Sequence, residues 1–261
     1  MPPVVFIMLD GVRPDAIETA NCPTLHSLRE RGASTMQARS VMPSITLPCH
    51  TSIVHSVPPT RHSITTNTFI PMARPLPGLV EVARAADKRV AFFYNWEQLR
   101  DLARPGSVHY SFFRDSSYLM DGDDETTLHA SSFIQKERPD LAFLYMGTVD
   151  SAGHQNGWMS DQYLKQLEHV DILLDGFFEK LPEEYTTIVH SDHGGHDRNH
   201  GTDSEEDMTI PWMAVGPDIR KGHTIQAQVS LLDTAPTIAK LLEIKPHYEW
   251  EGKVVEEIFL S

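Results

Sequence analysis

Runs of five or six apolar residues, mostly β-branched or aromatic, recur along the chain at 4–9, 89–94, 141–146, 186–190 and 210–215. They are short for helices and predict buried strands. Because they lack strict polar–apolar alternation, the strands should be covered on both sides, as in a mainly parallel sheet. Between them lie predicted helices at 23–31, opened by Pro23 and closed by Gly32, and at 79–86, 125–137, 161–181 and 231–242. The alternation predicts an α/β chain, a three-layer α/β/α sandwich around a mainly parallel central sheet. No repeat, linker or low-complexity tract interrupts 1–261, so one domain is expected. The stretch 104–124, rich in Ser, Gly, Tyr and Asp, is the least regular and is expected to form a loop or a small cap.

Composition narrows the function. With 22 basic and 36 acidic residues the net charge is −14, which argues against a nucleic-acid scaffold held by phosphate neutralisation. An anionic substrate would have to be attracted locally. The apolar run at 4–9 is too short for a membrane span and lacks a basic leader, so a cytoplasmic protein without membrane contact is expected. Cys22 and Cys49 are too few for a disulfide framework or a thiolate metal site.

The chain has 14 histidines, several beside aspartates in Gly-containing segments. Three predicted strands run into aspartate, at Asp10-Gly11, Asp150-Ser151 and Asp192-His193-Gly194. One aspartate after a strand is ordinarily a cap or turn residue. Three delivered to the carboxyl edge of one parallel sheet would crowd their charges, and a bound cation is the simplest remedy. His193, His154, His196 and His200 lie nearby in sequence, and mixed imidazole and carboxylate ligation suits zinc first, then manganese or iron. Asp150 and His154, four apart, could face each other on a helical turn, although Gly153 favours a tight loop equally. The segment 42–54 reads as a loop entering a helix at Thr46, with Pro48 in the first turn. An isolated Thr there is ordinarily an N-cap; a metal-coordinated one could be a nucleophile.

Together, Leu9-Asp10-Gly11, Pro43-Ser-Ile-Thr46-Leu-Pro48, Arg61-His62-Ser-Ile-Thr-Thr-Asn67, Asp150-Ser-Ala-Gly-His154, Ser191-Asp192-His193-Gly194 and His200-Gly-Thr resemble the alkaline phosphatase superfamily, most closely its type I phosphodiesterase and nucleotide pyrophosphatase branch. The resemblance implies two divalent cations, most readily zinc, one held by Asp150, His154 and His200 and the other by Asp10, Asp192, His193 and the Thr46 oxygen. It implies His200 rather than His196 as ligand and Asn67 as donor to a phosphoryl oxygen. Cys49, His50 and Arg61 fall outside the implied ligand set. Ser56 and Ser63 stand where related chains commonly have glycine, and Cys49 where asparagine is frequent.

The implied reaction is hydrolysis of a small-molecule phosphodiester or pyrophosphate through a phosphothreonine at Thr46. Two cations and three aspartates leave about +1 locally, so the site can attract an anion despite the chain's charge. A sulfatase shares the implied fold, but its modified Cys or Ser in Cys/Ser-x-Pro-x-Arg is replaced here by Thr46-Leu-Pro48-Cys-His50. A phosphonate or phosphomonoester hydrolase would use nearly the same ligands. A non-catalytic metal-binding module predicts eroded ligands, whereas all of those implied are present. The run Tyr110-Ser-Phe112-Phe113 is expected to pack into the core or a cap rather than against a substrate.

Overall fold

The computed structural model describes residues 2–260. Among them, eight strands form one sheet: β1 (Val4–Leu9), β2 (Ala33–Arg39), β3 (Val90–Tyr94), β4 (Tyr110–Phe113), β5 (Leu141–Met146), β6 (Thr186–His190), β7 (Thr209–Val215) and β8 (His223–Thr224). Their order is β4-β3-β5-β1-β6-β7-β2-β8, parallel except where β7 pairs with β6 and with β2. Ten helices cover the faces: α1 (Pro14–Thr19), α2 (Pro23–Arg31), α3 (Thr46–His55), α4 (Pro59–His62), α5 (Leu79–Ala85), α6 (Gly122–Glu137), α7 (Thr148–Asn156), α8 (Asp161–Lys180), α9 (Glu205–Met208) and α10 (Thr234–Leu241).

The strand side chains alternate between two cores, which makes the three layers. Val4, Phe6 and Met8 pack with Leu47 and Ile53 of α3, Val80 of α5 and Ile238 of α10. Val5, Ile7 and Leu9 pack with Leu25 of α2, Ile134 of α6 and Leu167 and Leu174 of α8. Both faces of β1 are therefore buried, which is why its sequence is uninterrupted by polar residues.

The expected strands all form, and the one at 210–215 runs antiparallel. The expected helix at 231–242 is a short 3₁₀ turn over Leu231–Asp233 followed by α10. The stretch 104–124 contributes the edge strand β4 and the start of α6. Tyr110 stacks on Phe133 at 3.9 Å and Phe112 on His129 at 4.1 Å, so those aromatic rings cover α6. Helix α6 starts at Gly122, not 125, and its fully buried Asp123 accepts from Gly147 N (3.0 Å), Thr148 N (3.3 Å) and Asn95 Nδ2 (2.7 Å). This carboxylate fixes the junction between β5 and α7.

Candidate metal centre

β5, β1 and β6 are neighbours, so Asp10 immediately after β1, Asp150 in the first turn of α7 and Asp192 just after β6 reach one sheet edge. Gly11 adopts φ +68°, and a Cβ there would lie 2.9 Å from the Asp150 Cα, so only glycine lets the two segments approach this closely. Asp192 Oδ1 accepts from His193 N at 3.0 Å and Gly11 N at 3.3 Å. Asp10 Oδ2 accepts the Tyr145 hydroxyl. The opposite oxygens, Asp10 Oδ1 and Asp192 Oδ2, together with Asp150 Oδ1, are buried without a hydrogen-bond partner.

Crowding and burial act on these groups as elementary electrostatics requires. Asp10 is raised well above the usual carboxylate range by burial and then by the charges of Asp192 and Asp150. Asp150 is raised well above it by burial and the charge of Asp192. Asp192 is held below its ordinary value although burial opposes this, because His193 and His50 face it. Burial, then neighbouring His193, pushes His200 down to about 3. Burial lowers His193 too, so His193 and His200 are neutral, with lone pairs available to a cation.

Each implied histidine ligand is keyed by its Nδ1–H to a backbone carbonyl: His154 to Arg198 O (2.9 Å), His193 to Gly194 O (2.8 Å) and His200 to Ser44 O (2.8 Å). The Nε2 atoms then face the carboxylates. His154 Nε2 lies 3.5 Å from Asp150 Oδ2 and 3.1 Å from His200 Nε2, which lies 3.6 Å from Asp150 Oδ1. His193 Nε2 lies 3.3 Å from both Asp10 Oδ1 and Asp192 Oδ2 and 3.2 Å from Thr46 Oγ1. Tetrahedral donors about 2.0–2.2 Å from a shared cation stand about 3.3–3.6 Å apart, so both sets have cation-holding dimensions. They adjoin, since Asp10, Asp150 and His193 place donors within 4.8 Å of one another and the His193 and His200 rings stack at 3.8 Å. The inner set is the enclosed floor; the outer one reaches the mouth, where the His154 side chain is 40% exposed.

His196 does not join either set. Its Nδ1 pairs with Asp207 Oδ1 at 2.7 Å, and Asp207 also binds Thr202 N and Oγ1. The connection from β6 to β7 can carry both His193 and His200 because antiparallel pairing returns the chain along the same edge.

Thr46 opens α3, yet its hydroxyl makes no capping bond; the N-cap is Ile45, and Thr46 Oγ1 instead faces His193. The cap comes from Asn67, whose Oδ1 accepts Leu47 N at 3.0 Å. Its amide nitrogen takes no part in that bond.

Two residues at the inner site escaped the sequence reading. Tyr145 was hidden in an apolar run, and no spacing signals its hydroxyl bond to Asp10. His50, outside the implied ligand set, has its Nε2 3.5 Å from Asp192 Oδ2, and its donor groups with those of Asp10 and Asp192. Its position four residues after Thr46, on the same helical face, was the available signal.

The family model described as type I phosphodiesterase / nucleotide pyrophosphatase matches residues 4–89 and 84–212. The human ectonucleotide pyrophosphatase/phosphodiesterase family member 1 is 30% identical over 219 residues, 74% of this chain and 23% of the human protein, so the chain spans about a quarter of that relative's length. Among solved structures, an inactive variant of murine ectonucleotide pyrophosphatase/phosphodiesterase 5 in complex with AMP superposes with TM-score 0.76 at 17% identity, covering 95% of this chain and 97% of that one. A mutant of the alkaline phosphatase PafA superposes with TM-score 0.83 at 12% identity, covering 99% of each. The family match over most of the chain agrees with the strand-edge geometry: the chain belongs to the type I phosphodiesterase/nucleotide pyrophosphatase family.

Proposed function

We propose that the chain hydrolyses phosphodiester or pyrophosphate bonds of small molecules, with Thr46 as nucleophile and two divalent cations, zinc in the first place, held by Asp150, His154 and His200 and by Asp10, Asp192, His193 and Thr46. The observation that carries this reading is the convergence of unpartnered carboxylate oxygens and backbone-keyed imidazole nitrogens at 3.1–3.6 Å from one another, with His193 Nε2 3.2 Å from Thr46 Oγ1. The AMP in the murine relative's complex supports a nucleotide-sized phosphoester.

When bound, the cations supply positive charge that favours the Thr46 alkoxide and the departing ester oxygen. Thr46 Oγ1, at the positive end of α3, attacks phosphorus in line with the leaving oxygen, breaking the P–O ester bond as the new one forms. Asn67 Nδ2 donates to an equatorial phosphoryl oxygen as charge builds there. Water then attacks the phosphorylated Thr46, which still carries the substrate's second ester group, from the side the leaving group vacated; the proton and electron pair return to Thr46 Oγ1 and a phosphomonoester is released. Two inversions give retention at phosphorus.

The test combines metal analysis with trapping. The wild type should contain about two cations per chain, lose activity on chelation, and carry acid-stable label on Thr46 after quenching with labelled diester. Thr46→Ala should lose several orders of magnitude in turnover while still binding a substrate analogue, and Thr46→Ser should retain part of the activity. Full activity without metal, or inversion at phosphorus, would refute the reading.

A further inference from the structure

Resting on the reading that Asp150, His154 and His200 hold a cation, we propose that Asp123, a member of neither donor set, is a positioning residue for that outer cation: by capping α7 from another helix it fixes where Asp150 and His154 stand at the sheet edge. Helix α7 brings two of the three outer donors, Asp150 in its first turn and His154 one turn further on the same face, with His154 Nε2 3.5 Å from Asp150 Oδ2. Its N-cap, Gly147, has no side chain to meet the free amides of the helix start. Asp123 of α6, 24 and 25 positions earlier, takes that place: Oδ1 accepts Gly147 N at 3.0 Å, and Oδ2 accepts Thr148 N at 3.3 Å and the Thr148 hydroxyl. Asn95 Nδ2, just beyond β3, donates to Oδ1 at 2.7 Å, and Gln166 Nε2 of α8 donates to Thr148 Oγ1 at 2.7 Å.

Asp123 is fully buried, and each of these donors is neutral. A buried carboxylate without a basic partner is unfavourable unless the amides of a helix start, with their positive dipole end, meet it. The helix so held has little room to drift. Asp150 lies against Gly11, where a Cβ would fall 2.9 Å from the Asp150 Cα, so Gly11 limits the approach of α7 to β1 while Asp123 limits its travel along its own axis. Cation sites tolerate ligand displacements of about 0.2 Å, whereas one residue of helical rise is about 1.5 Å, so a freed first turn would misplace Asp150 well before α7 unfolds. The inner donors come from other elements, Asp10 after β1, Thr46 on α3, and Asp192 and His193 after β6, and do not depend on this cap.

The fold contains a matched control. Asp171 of α8, 1% exposed, caps α2 in the same way, accepting Thr24 N at 3.0 Å and Leu25 N at 2.8 Å, and α2 carries no residue of either donor set. Zinc is the probe, in equilibrium dialysis at buffered free concentrations, with His154→Ala as the reference for a disabled outer set. At a concentration that fills both wild-type sites, the wild type should hold about two ions and His154→Ala about one. Asp123→Ala should also hold one, and regain the second only at about 10–100-fold higher free zinc, the loss typical of a removed outer partner. Asp123→Asn, which sets an amide N–H against one of the two helix amides, should fall in the same range, and it carries the test if Asp123→Ala does not fold. Asp171→Ala and Asp171→Asn should keep both ions, although urea unfolding of the metal-free proteins should show both pairs of variants destabilised. Unchanged affinity for the second ion in the Asp123 variants would overturn the proposal. So would an equal loss in the Asp171 variants, because lowered stability alone would then account for it. A wild-type protein that takes up no second ion would instead remove the functional reading on which the proposal rests.

Discussion

Asn67 caps the helix that begins with Thr46 by accepting Leu47 N through Oδ1 at 3.0 Å, so the same amide that would meet the substrate is locked to the nucleophile's own backbone. Its two halves have separable roles. Asn67→Ala should lower kcat by about 10²–10³ and, by removing the cap, cost about 1 kcal/mol of stability. Asn67→Asp keeps the acceptor and removes the donor, so activity should fall at least as far with an unchanged melting temperature. Equal melting losses in both variants would contradict the cap.

Diesters should be turned over more efficiently than monoesters bearing the same nitrophenyl leaving group, by tenfold or more in kcat/KM on the order set by one unpaired charge. Three guanidinium groups are engaged elsewhere: Arg39 with Glu205 and Thr209, Arg61 with Glu249 and the Arg74 carbonyl, Arg13 with Asp15 and the Gly195 carbonyl. With Asn67 as a neutral donor, a site of about +1 matches one negative charge better than two. A monoester or aryl sulfate preferred over the diester would reverse this substrate choice.

His200→Ala should lower metal content and activity far more than His196→Ala. His200 Nε2 faces the outer set, whereas His196 is occupied by Asp207 on a loop stitched by its own hydrogen bonds. Metal analysis of the two purified variants checks this, and equal depletion would count against the assignment.

In the metal-free protein the buried carboxylates and the buried histidines should give opposite dependences of stability on pH. Asp10 and Asp150 are raised above their ordinary value of 3.8 in the fold, so the folded chain binds protons that the unfolded chain has released. Their contribution is fully present below that value and disappears as pH climbs through the raised ones. Burial lowers His62, His190, His193 and His200, so their neutral state adds stability as pH rises toward the ordinary value of 6.5. Chelated Asp10→Asn should therefore gain stability relative to chelated wild type between pH 5 and pH 8, and zinc should stabilise the wild type at pH 8 with proton release measurable by calorimetry in buffers of different ionisation enthalpy. A chelated Asp10→Asn variant with the same pH dependence as the chelated wild type would contradict this.

Ser63→Gly should stabilise by about 0.5–1 kcal/mol. Ser63 is exposed at φ +66°, a left-handed conformation that costs an L-residue energy and a glycine almost none. Ser56, at φ +51°, is different because its hydroxyl donates to Leu232 O and accepts from Gly252 N; Ser56→Gly should be neutral or destabilising. Urea denaturation of both variants measures the contrast.

The parts of this architecture that were legible from sequence are those where burial dictates residue type. β1, β5 and β6 are enclosed on both faces, and their apolar runs end where the carboxylates begin. β2 was missed because its sequence, Ala-Ser-Thr-Met-Gln-Ala-Arg, mixes polar side chains into a partly covered strand. The direction of β7 is set by pairing, which its composition does not encode. Gly153 left α7 undecided between helix and loop, and the answer lay elsewhere in the chain: the Trp158 indole lies so close that a Cβ at Gly153 would fall 2.7 Å from it. For the site, strand-end aspartates were visible as a repeated pattern, whereas Tyr145 matters through tertiary proximity alone and His50 shows in sequence only by standing four residues after Thr46.

The bond from His200 Nδ1 to Ser44 O spans 156 positions, and Ser44 Oγ returns to Thr202 O across 158. During synthesis, Asp10, Thr46 and Asp150 all emerge before the segment that completes either donor set. A nascent chain ending at β6 would expose two acidic strand ends, Asp10 and Asp150, with neither donor set complete. Metal capture would then be one of the last events of folding, a signal that the β6–β7 connection has closed over the sheet edge.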